Sequence, residues 1–403
     1  MAGDHAVFIN DRRELKAHLA DIDVDKGAYP FLLPKGRFQC LKLKRIPCRA
    51  AHIIKQEMLS KGGEAAIGRQ AMTAAGFSEG YTDILLMGTA KQYQMLVEKL
   101  KIQPFGLNKT AIVIETLMAN LDKNQWTLVL PKGEKIELGH KTLVMGILNL
   151  TPDSFSDGGK YENTKKALAH AEAMISAGAD CIDVGAVSSR PQGVLADENT
   201  EIERILPVIK ELVKTVPSQV YISVDTFRAK TAAACLKLGV HIINDIGRLQ
   251  MDKEMGAVIK DFASPVVLMH NRMHLNAEQP YEDLVADIIG ELSASIGEAV
   301  DSGIEENKIM VDPGLGFGKT VKENLALVKC LADFKSLGRP ILIGASRKNF
   351  IGQTLNLEVA ERLEGSLAVA AAAIMNGAHL IRTHDVQATK RLAVMLDAVK
   401  NHG

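Results

Sequence analysis

At 403 residues the chain is too long for one ordinary compact domain, which predicts a barrel of about 250 residues plus a smaller unit. Hydrophobic residues make up 47% and charged residues 24%, with 48 basic against 48 acidic side chains. This is a soluble globular profile whose formal charge of zero gives no footprint for nucleic acid or an anionic membrane.

Residues 1–123 read as a separate, smaller α+β unit. Residues 6–9 are expected as a short strand, followed by a helix with Leu15, Leu19 and Ile22 at helical spacing. Residues 39–43 alternate as a half-buried strand does, residues 50–59 read as a helix stopped by Gly62 and Gly63, and residues 83–87 as another strand. Helices are expected over 92–100, with Pro104 beyond its end, and over 110–121. No catalytic constellation stands out. Cys48 and His52, four apart, read as packing, and the basic run Lys42, Lys44, Arg45 as the solvated face of a strand. The role of this unit stays open.

From residue 124 the pattern changes. Residues 126–130 and 134–138 flank Pro131-Lys132-Gly133, a β-hairpin signal. Eight apolar runs then alternate with amphipathic stretches: 143–148, 181–184, 221–224, 241–244, 266–269, 309–311, 341–343 and 380–382. Between them, Tyr281, Leu284, Ile288, Leu292 and Ile296 form a helical stripe. Gly178, Gly239, Gly303, Gly338 and Gly377 each fall after a helical stretch and before a strand, where a left-handed cap suits glycine. Strand, crossover helix, strand, repeated without a G-x-G-x-x-G loop, predicts a (β/α)8 TIM barrel over residues 124–403 in preference to an open doubly wound sheet.

Elsewhere the chain is quiet. No uncharged apolar run approaches the ~20 residues of a membrane span, and the amino terminus lacks the basic-then-apolar pattern of a signal peptide. The five cysteines, Cys40, Cys48, Cys181, Cys235 and Cys330, form no C-x-x-C or zinc spacing and are expected as reduced thiols in the cytoplasm.

In a barrel the chemistry sits where each strand hands over to its helix. Those positions hold Asn149, Asp153, Phe155 and Asp157 after the first strand, and Asp183, Ser188, Ser189, Arg190 and Pro191 after the second. Asp225 and Thr226 follow the third, Asn244 and Asp245 the fourth, and His270, Asn271 and Arg272 the fifth. The sixth gives Asp312, Phe317 and Lys319, the seventh Ser346, Arg347 and Lys348, the eighth Arg382, Thr383, His384 and Asp385. Burying so many polar groups costs free energy unless they are paired or used. Carboxylates and an amide at Asp225, Asn244 and Asp312 suit the donor–acceptor edge of a heterocycle. Cations at Arg382 and His384, with Lys348 nearby, suit a phosphate, and the Asn149 carbonyl suits a hard cation such as Mg2+.

The wording of these junctions is specific. G-I-L-N-L-T-P-D-S-F-S-D-G-G (146–159), S-V-D-T (223–226), I-N-D (243–245), D-P-G-L-G-F-G-K (312–319), S-R-K (346–348) and R-T-H-D-V (382–386) resemble, in order, the signatures of dihydropteroate synthase. The match runs from about residue 125 to the end. The resemblance implies that Asp225, Asn244, Asp312 and Lys348 hold a pterin ring, that Asn149 binds Mg2+, and that Arg382 and His384 bind the diphosphate of 6-hydroxymethyl-7,8-dihydropterin diphosphate. It further implies that Phe155, Asp157, Ser189, Arg190 and Pro191 close over the site and, with Phe317, form a 4-aminobenzoate pocket. Lys348, Asp157 and Arg190 would be the catalytic groups, and Ser346 a further substrate contact. Sulfonamides would compete with 4-aminobenzoate, and the protein would be a homodimer through its barrel helices.

The second loop departs from the family's usual G-x-E-S-T-R-P-G: Val187 replaces an acid, Ser189 a threonine, and Gln192 displaces the glycine. That bears on 4-aminobenzoate affinity and sulfonamide sensitivity. Met269-His270-Asn271-Arg272 departs from the commoner M-H-M-R-G and receives no role, while Asp183 and Asp245 are read as loop anchors or helix caps. Two other classes remain: a methyltetrahydrofolate-dependent methyltransferase with a similar barrel, and a non-catalytic pterin-binding protein.

Overall fold

A computed structural model describes residues 3–9, 11–73, 80–150, 160–186, 197–273 and 280–401. The chain divides into two compact units, residues 1–123 and residues 124–402.

In the first unit, β1 (Phe38–Pro47), β2 (Glu64–Ile67) and β3 (Tyr81–Thr89) form an antiparallel sheet in the order β1-β3-β2. Helices Cys48–Ser60, Ala90–Lys101 and Leu107–Asp122 supply Ile54, Met58, Leu96, Leu100 and Ile114 to a core that also takes Leu41, Leu43, Ile84 and Leu86 from the strands. Thr89 and Gln92 cap the second of these helices reciprocally. Residues 6–9 form no strand: Phe8 is 87% exposed, and among the described residues no strand pairs with this segment to take its backbone groups. The unpredicted β2 is only four residues long and exists because Ala65 and Ala66 pair with Leu86 and Leu85 of β3. Cys48 is buried, and the His52 ring lies 2.9 Å from the Ala71 carbonyl, so this pair does pack. Lys44 reaches across to Asp83 at 2.7 Å, beside an irregularity between Leu43 and Ile46 where Arg45 takes φ +52°.

The second unit opens with the hairpin β4 (Trp126–Val129) and β5 (Lys135–Leu138). Eight parallel strands follow: β6 (Leu143–Asn149), β7 (Cys181–Gly185), β8 (Tyr221–Asp225), β9 (Ile242–Asp245), β10 (Val266–Met269), β11 (Ile309–Asp312), β12 (Leu342–Gly344) and β13 (Leu380–Thr383). They run side by side in the order β11-β10-β9-β8-β7-β6-β13-β12, and a parallel bridge between Val311 and Ile341 joins the last strand to the first. The eight-fold reading is therefore met by a closed (β/α)8 barrel. All five predicted helix-ending glycines take positive φ. The stripe around residue 288 lies on helix Leu284–Asp301, with Ile288 and Leu292 fully buried.

Side chains alternate across each strand, so one set points at the helices and the other into the barrel. Val144, Ile182, Val184, Val224, Ile243, Leu268, Val311 and Ile343 meet the helices in the main core. Leu143, Met145, Cys181, Ile242, Val267, Met310, Leu342 and Leu380 point inward. They form one cluster with Trp126, Leu128, Ile136 and Leu138 of the hairpin, which covers the amino-terminal opening. Trp126 donates its ring N–H to the Gly338 carbonyl at 2.9 Å and meets His379 edge-on at 4.5 Å. With that end filled by hydrocarbon, the carboxyl end is the one left for chemistry.

Candidate active site

Two or four residues further along, the same alternation points a largely polar layer inward from several of the strands. Met145 leads to Asn149, Cys181 to Asp183 and Gly185, Ile242 to Asn244, Met310 to Asp312, and Leu380 to Arg382. Pairing of Asp225 with Asn244, and of Asn149 with Gly185, places these groups at one level of the barrel.

Arg382 is the hub. Its Nε donates to Asp183 Oδ2 at 2.6 Å and its Nη2 to Asp225 Oδ2 at 2.7 Å, while Asn244 Nδ2 donates to the same Asp183 oxygen at 3.1 Å. Asp183 is completely buried. Burial raises the Asp225 carboxyl well above the usual range, opposed by the Arg382 guanidinium. Asp312 accepts from the Gly314 N–H at 2.7 Å, yet burial pushes it up to about 6. Lys348 stands over the Phe317 ring, Nζ 4.1 Å from its centroid. Burial pushes it down to about 8 against the pull of Asp312 and Asp225.

The loop between β11 and helix Val321–Lys329 is shaped by glycine. Gly314 has φ +69°, and a Cβ there would lie 1.9 Å from the His270 carbonyl oxygen. Gly316 has φ +83°, with the Lys348 stem against the place a side chain would occupy. Only glycine gives both the backbone turn and the close approach.

The structure thus brings Asp225, Asn244, Asp312, Lys348, Phe317 and Arg382 together. Arg382 differs in its partners from the diphosphate role expected of it, because its guanidinium is engaged by two carboxylates. His384 sits beside Ser346, whose Oγ accepts from the His384 backbone N–H at 3.2 Å and lies 3.1 Å from its Nδ1. Arg347 turns away to Asp385, which it meets at 3.0 Å through Nε. Asp245 is the anchor it was read to be, accepting from the N–H groups of Gly247 and Leu249 at 2.7 and 2.6 Å. Asp183 is not: it ties Arg382 and Asn244 to the mouth, and its signal was its inward parity two residues before Gly185. Phe155, Asp157, Ser189, Arg190 and Pro191, like Asp153 and Ser188, lie outside the described residues.

A second charged group was given no role in the sequence. Lys319 Nζ contacts His270 Nδ1 at 3.0 Å, and Glu291 lies among His270, Arg272 and Arg248 at 3.2, 2.6 and 3.1 Å. Burial alone would raise the Glu291 carboxyl, but His270 and the two arginines bring it down to about 2.

Among the described residues no three His, Cys, Asp or Glu side chains are grouped to hold a metal ion. At the end of β6, however, Asn149 Oδ1 and Asp225 both border the space that a Cβ at Gly185 would enter, at 3.8 and 3.5 Å. The Asp225 atoms there are carbons, so Asn149 supplies the one oxygen, and a single amide oxygen fits Mg2+, which keeps most of its shell as water and phosphate oxygens.

The sequence matches the family described as pterin binding enzyme over residues 145–384. The dihydropteroate synthase of Bacillus subtilis is 44% identical over 286 residues, covering 71% of this chain and 98% of that one. A probable bifunctional folylpolyglutamate synthase/dihydropteroate synthase from Haloferax volcanii is 35% identical over 358 residues, covering 85% of this chain and 41% of its own. That alignment is too long for the barrel alone and extends into residues 1–123. Among solved structures, the synthase of Clostridium difficile, determined in the presence of pteroic acid, has a TM-score of 0.63 at 41% identity, covering 65% of this chain and 98% of that one. That of Xanthomonas albilineans with 4-aminobenzoic acid scores 0.65 at 35% identity, covering 69% and 100%. That of Yersinia pestis with a sulfonamide drug scores 0.63 at 38%, covering 68% and 99%.

Proposed function

The chain belongs to the pterin-binding enzyme family as a dihydropteroate synthase, and on that premise we propose how its barrel carries the reaction. The enzyme condenses 6-hydroxymethyl-7,8-dihydropterin diphosphate with 4-aminobenzoate, giving 7,8-dihydropteroate and diphosphate for folate biosynthesis. The observation that carries the assignment of roles is the inward layer at the carboxyl mouth: Asp225, Asn244, Asp312, Lys348 and Arg382 converge from five separate strands and their loops.

Asp312 and Asp225 would accept the paired N–H groups of the 2-amino-4-oxo pterin ring, Asn244 would read its edge, and Lys348 would donate to a ring acceptor. His384, oriented by Ser346, would face the diphosphate, and Arg382 would reach it only through guanidinium N–H groups not engaged by Asp183 and Asp225. Asn149 would hold Mg2+, which when bound supplies further charge neutralisation to the leaving group. The C–O bond to diphosphate breaks, the electron-rich dihydropterin stabilises the cationic methylene, and the arylamine nitrogen forms the new C–N bond and loses one proton. The chain's work is to position, exclude water and stabilise leaving-group charge, without a strong general base. Phe155, Asp157, Ser189, Arg190 and Pro191 are proposed to close over the arylamine beside Phe317. Sulfonamides are proposed as competitors there, as the Yersinia pestis complex supports.

Release of diphosphate on mixing the pterin diphosphate, 4-aminobenzoate and Mg2+ with the enzyme, and its loss with EDTA, tests this reading. No release at high enzyme concentration would leave a pterin-binding protein without activity.

The ionisations set a pH window. With Asp312 pushed up to about 6 and Asp225 raised too, acid protonates the groups that must accept the pterin N–H bonds. With Lys348 pushed down to about 8, alkali removes its ammonium. Pterin affinity is therefore expected to rise from pH 5 toward neutrality and fall again above about 8, as read by calorimetry. A flat profile would remove these groups from the pterin site.

We also propose a cytoplasmic homodimer joined through barrel helices. Helix Val386–Asn401 exposes Val394, Met395 and Val399, which supports it, and light scattering of the full chain decides it. No helix among the described residues is long and apolar enough to cross a membrane. Comparing residues 124–403 with the whole chain in the same assay measures what residues 1–123 add.

A further inference from the structure

We propose that Lys319, tied through His270 to Glu291, is a positioning residue that sets the arylamine end of the active site by clasping the loop that carries Phe317. The inference rests on the synthase reading above.

Lys319 Nζ lies 2.8 Å from the Gly314 carbonyl, 3.1 Å from the Phe317 carbonyl and 3.0 Å from His270 Nδ1. An ammonium has three N–H donors and no acceptor, so these three partners satisfy it completely. Two of them belong to one loop and the third to the end of the neighbouring strand β10. The lysine folds back over its own loop and fastens it to the barrel rim.

That arrangement selects one tautomer of His270. With Lys319 as the ammonium, Nδ1 must accept, so the proton sits on Nε2, which lies 3.2 Å from Glu291 Oε2 as a close polar contact rather than an aligned hydrogen bond. The imidazole is fully buried, and burial pushes it down to about 4, so it is neutral under working conditions and holds this tautomer. Glu291 is itself fixed by Arg272, whose Nη2 and Nε reach it at 2.6 and 2.9 Å, and by Arg248 at 3.1 Å. Tyr281 lies under the Arg272 guanidinium at 3.9 Å. Burial pushes Lys319 itself down to about 7, opposed by Asp312, Glu291 and Glu323 and reinforced by Lys348, so the three-donor ammonium is the form held from neutrality downward.

The loop needs such a fastening. Gly314, Gly316 and Gly318 all take positive φ, and a glycine-rich backbone loses much freedom on being ordered. Phe317 is buried in a small cluster with Ile246 and Met269, and its ring carries the Lys348 ammonium. A shift of the loop therefore moves the aromatic floor, whereas Lys348 is carried separately on the loop after β12 and keeps its place beside Asp312. Asp312, by contrast, is held within β11 by its pairing with Met269. The arylamine subsite should suffer more than the pterin subsite.

The experiment is steady-state kinetics on full-length Lys319→Met, His270→Ala and His270→Gln. Glutamine keeps an acceptor for Lys319 and a donor for Glu291. Lys319→Met and His270→Ala are expected to raise KM for 4-aminobenzoate about tenfold or more, with KM for the pterin diphosphate changed less than about threefold. His270→Gln should restore the 4-aminobenzoate KM to within about threefold of wild type. If Lys319→Met does not fold, the two His270 variants decide. The proposal is overturned if the 4-aminobenzoate KM is unchanged, if both KM values rise alike, or if His270→Ala and His270→Gln lower kcat equally at constant KM, the pattern of lost folded enzyme. Failure of the synthase reading would show separately, as wild-type enzyme that forms no dihydropteroate.

Discussion

Lys348→Ala will lower kcat on the order of 10²–10³-fold while leaving the barrel folded, and Asp312→Ala will do the same. Lys348 lies on the loop after β12, not in the apolar core, so its loss opens no cavity among packed hydrocarbon. Its Nζ balances the charge of Asp312 and Asp225 and rests on the Phe317 face. Without it Asp312, already pushed up to about 6 by burial, protonates more readily and presents a poorer acceptor to the pterin. Asp312→Ala removes that acceptor outright and frees the Gly314 N–H as well. Dihydropteroate formation and far-ultraviolet circular dichroism measure the two halves of the claim. A near-normal rate in either variant would show that the pterin sits elsewhere.

Arg382→Met is expected to cost about 3–5 kcal/mol of stability, in addition to its effect on turnover. The guanidinium bridges two carboxylates, and Asp183 has no exposure to water at all. Taking away the cation leaves Asp183 with only the Asn244 amide and puts it beside Asp225 without compensation. Adding Asp183→Asn to Arg382→Met should recover part of the loss, because the uncompensated charge is then gone. Urea unfolding of the two single variants and the double closes the cycle. A single-variant loss under about 1 kcal/mol would mean that the bridge contributes little and that the mouth is wetter than its burial suggests.

The eight barrel strands were legible because strands covered on both faces are continuous apolar runs, and the residue that breaks each run falls at the mouth. The convergence of Asp225, Asn244 and Asp312 follows from that register alone. Asp183 was misread because a carboxylate inside an apolar run looks like an anchor until its partner is known, and Arg382 lies 199 residues away. The Lys319 clasp was hidden for the same reason: His270 is 49 residues from Lys319 and has no periodicity to announce it. In the first unit, β2 is too short for alternation to register, whereas residues 6–9 are an apolar run of strand length that, among the described residues, finds no neighbour to pair with. Local pattern tells what a segment prefers, and a sheet edge decides whether it can have it.

The hairpin at residues 126–138 sets where the catalytic barrel can be severed from what precedes it. A cut made just ahead of Leu143, where the parallel strands begin, would uncork the drum: Leu143, Met145, Val267, Met310 and Leu380 would line a greasy well open to solvent. Such a fragment would clump although every catalytic side chain were present. The portable synthase accordingly starts ahead of Trp126, and its reactive rim is kept in shape by a stopper at the far end.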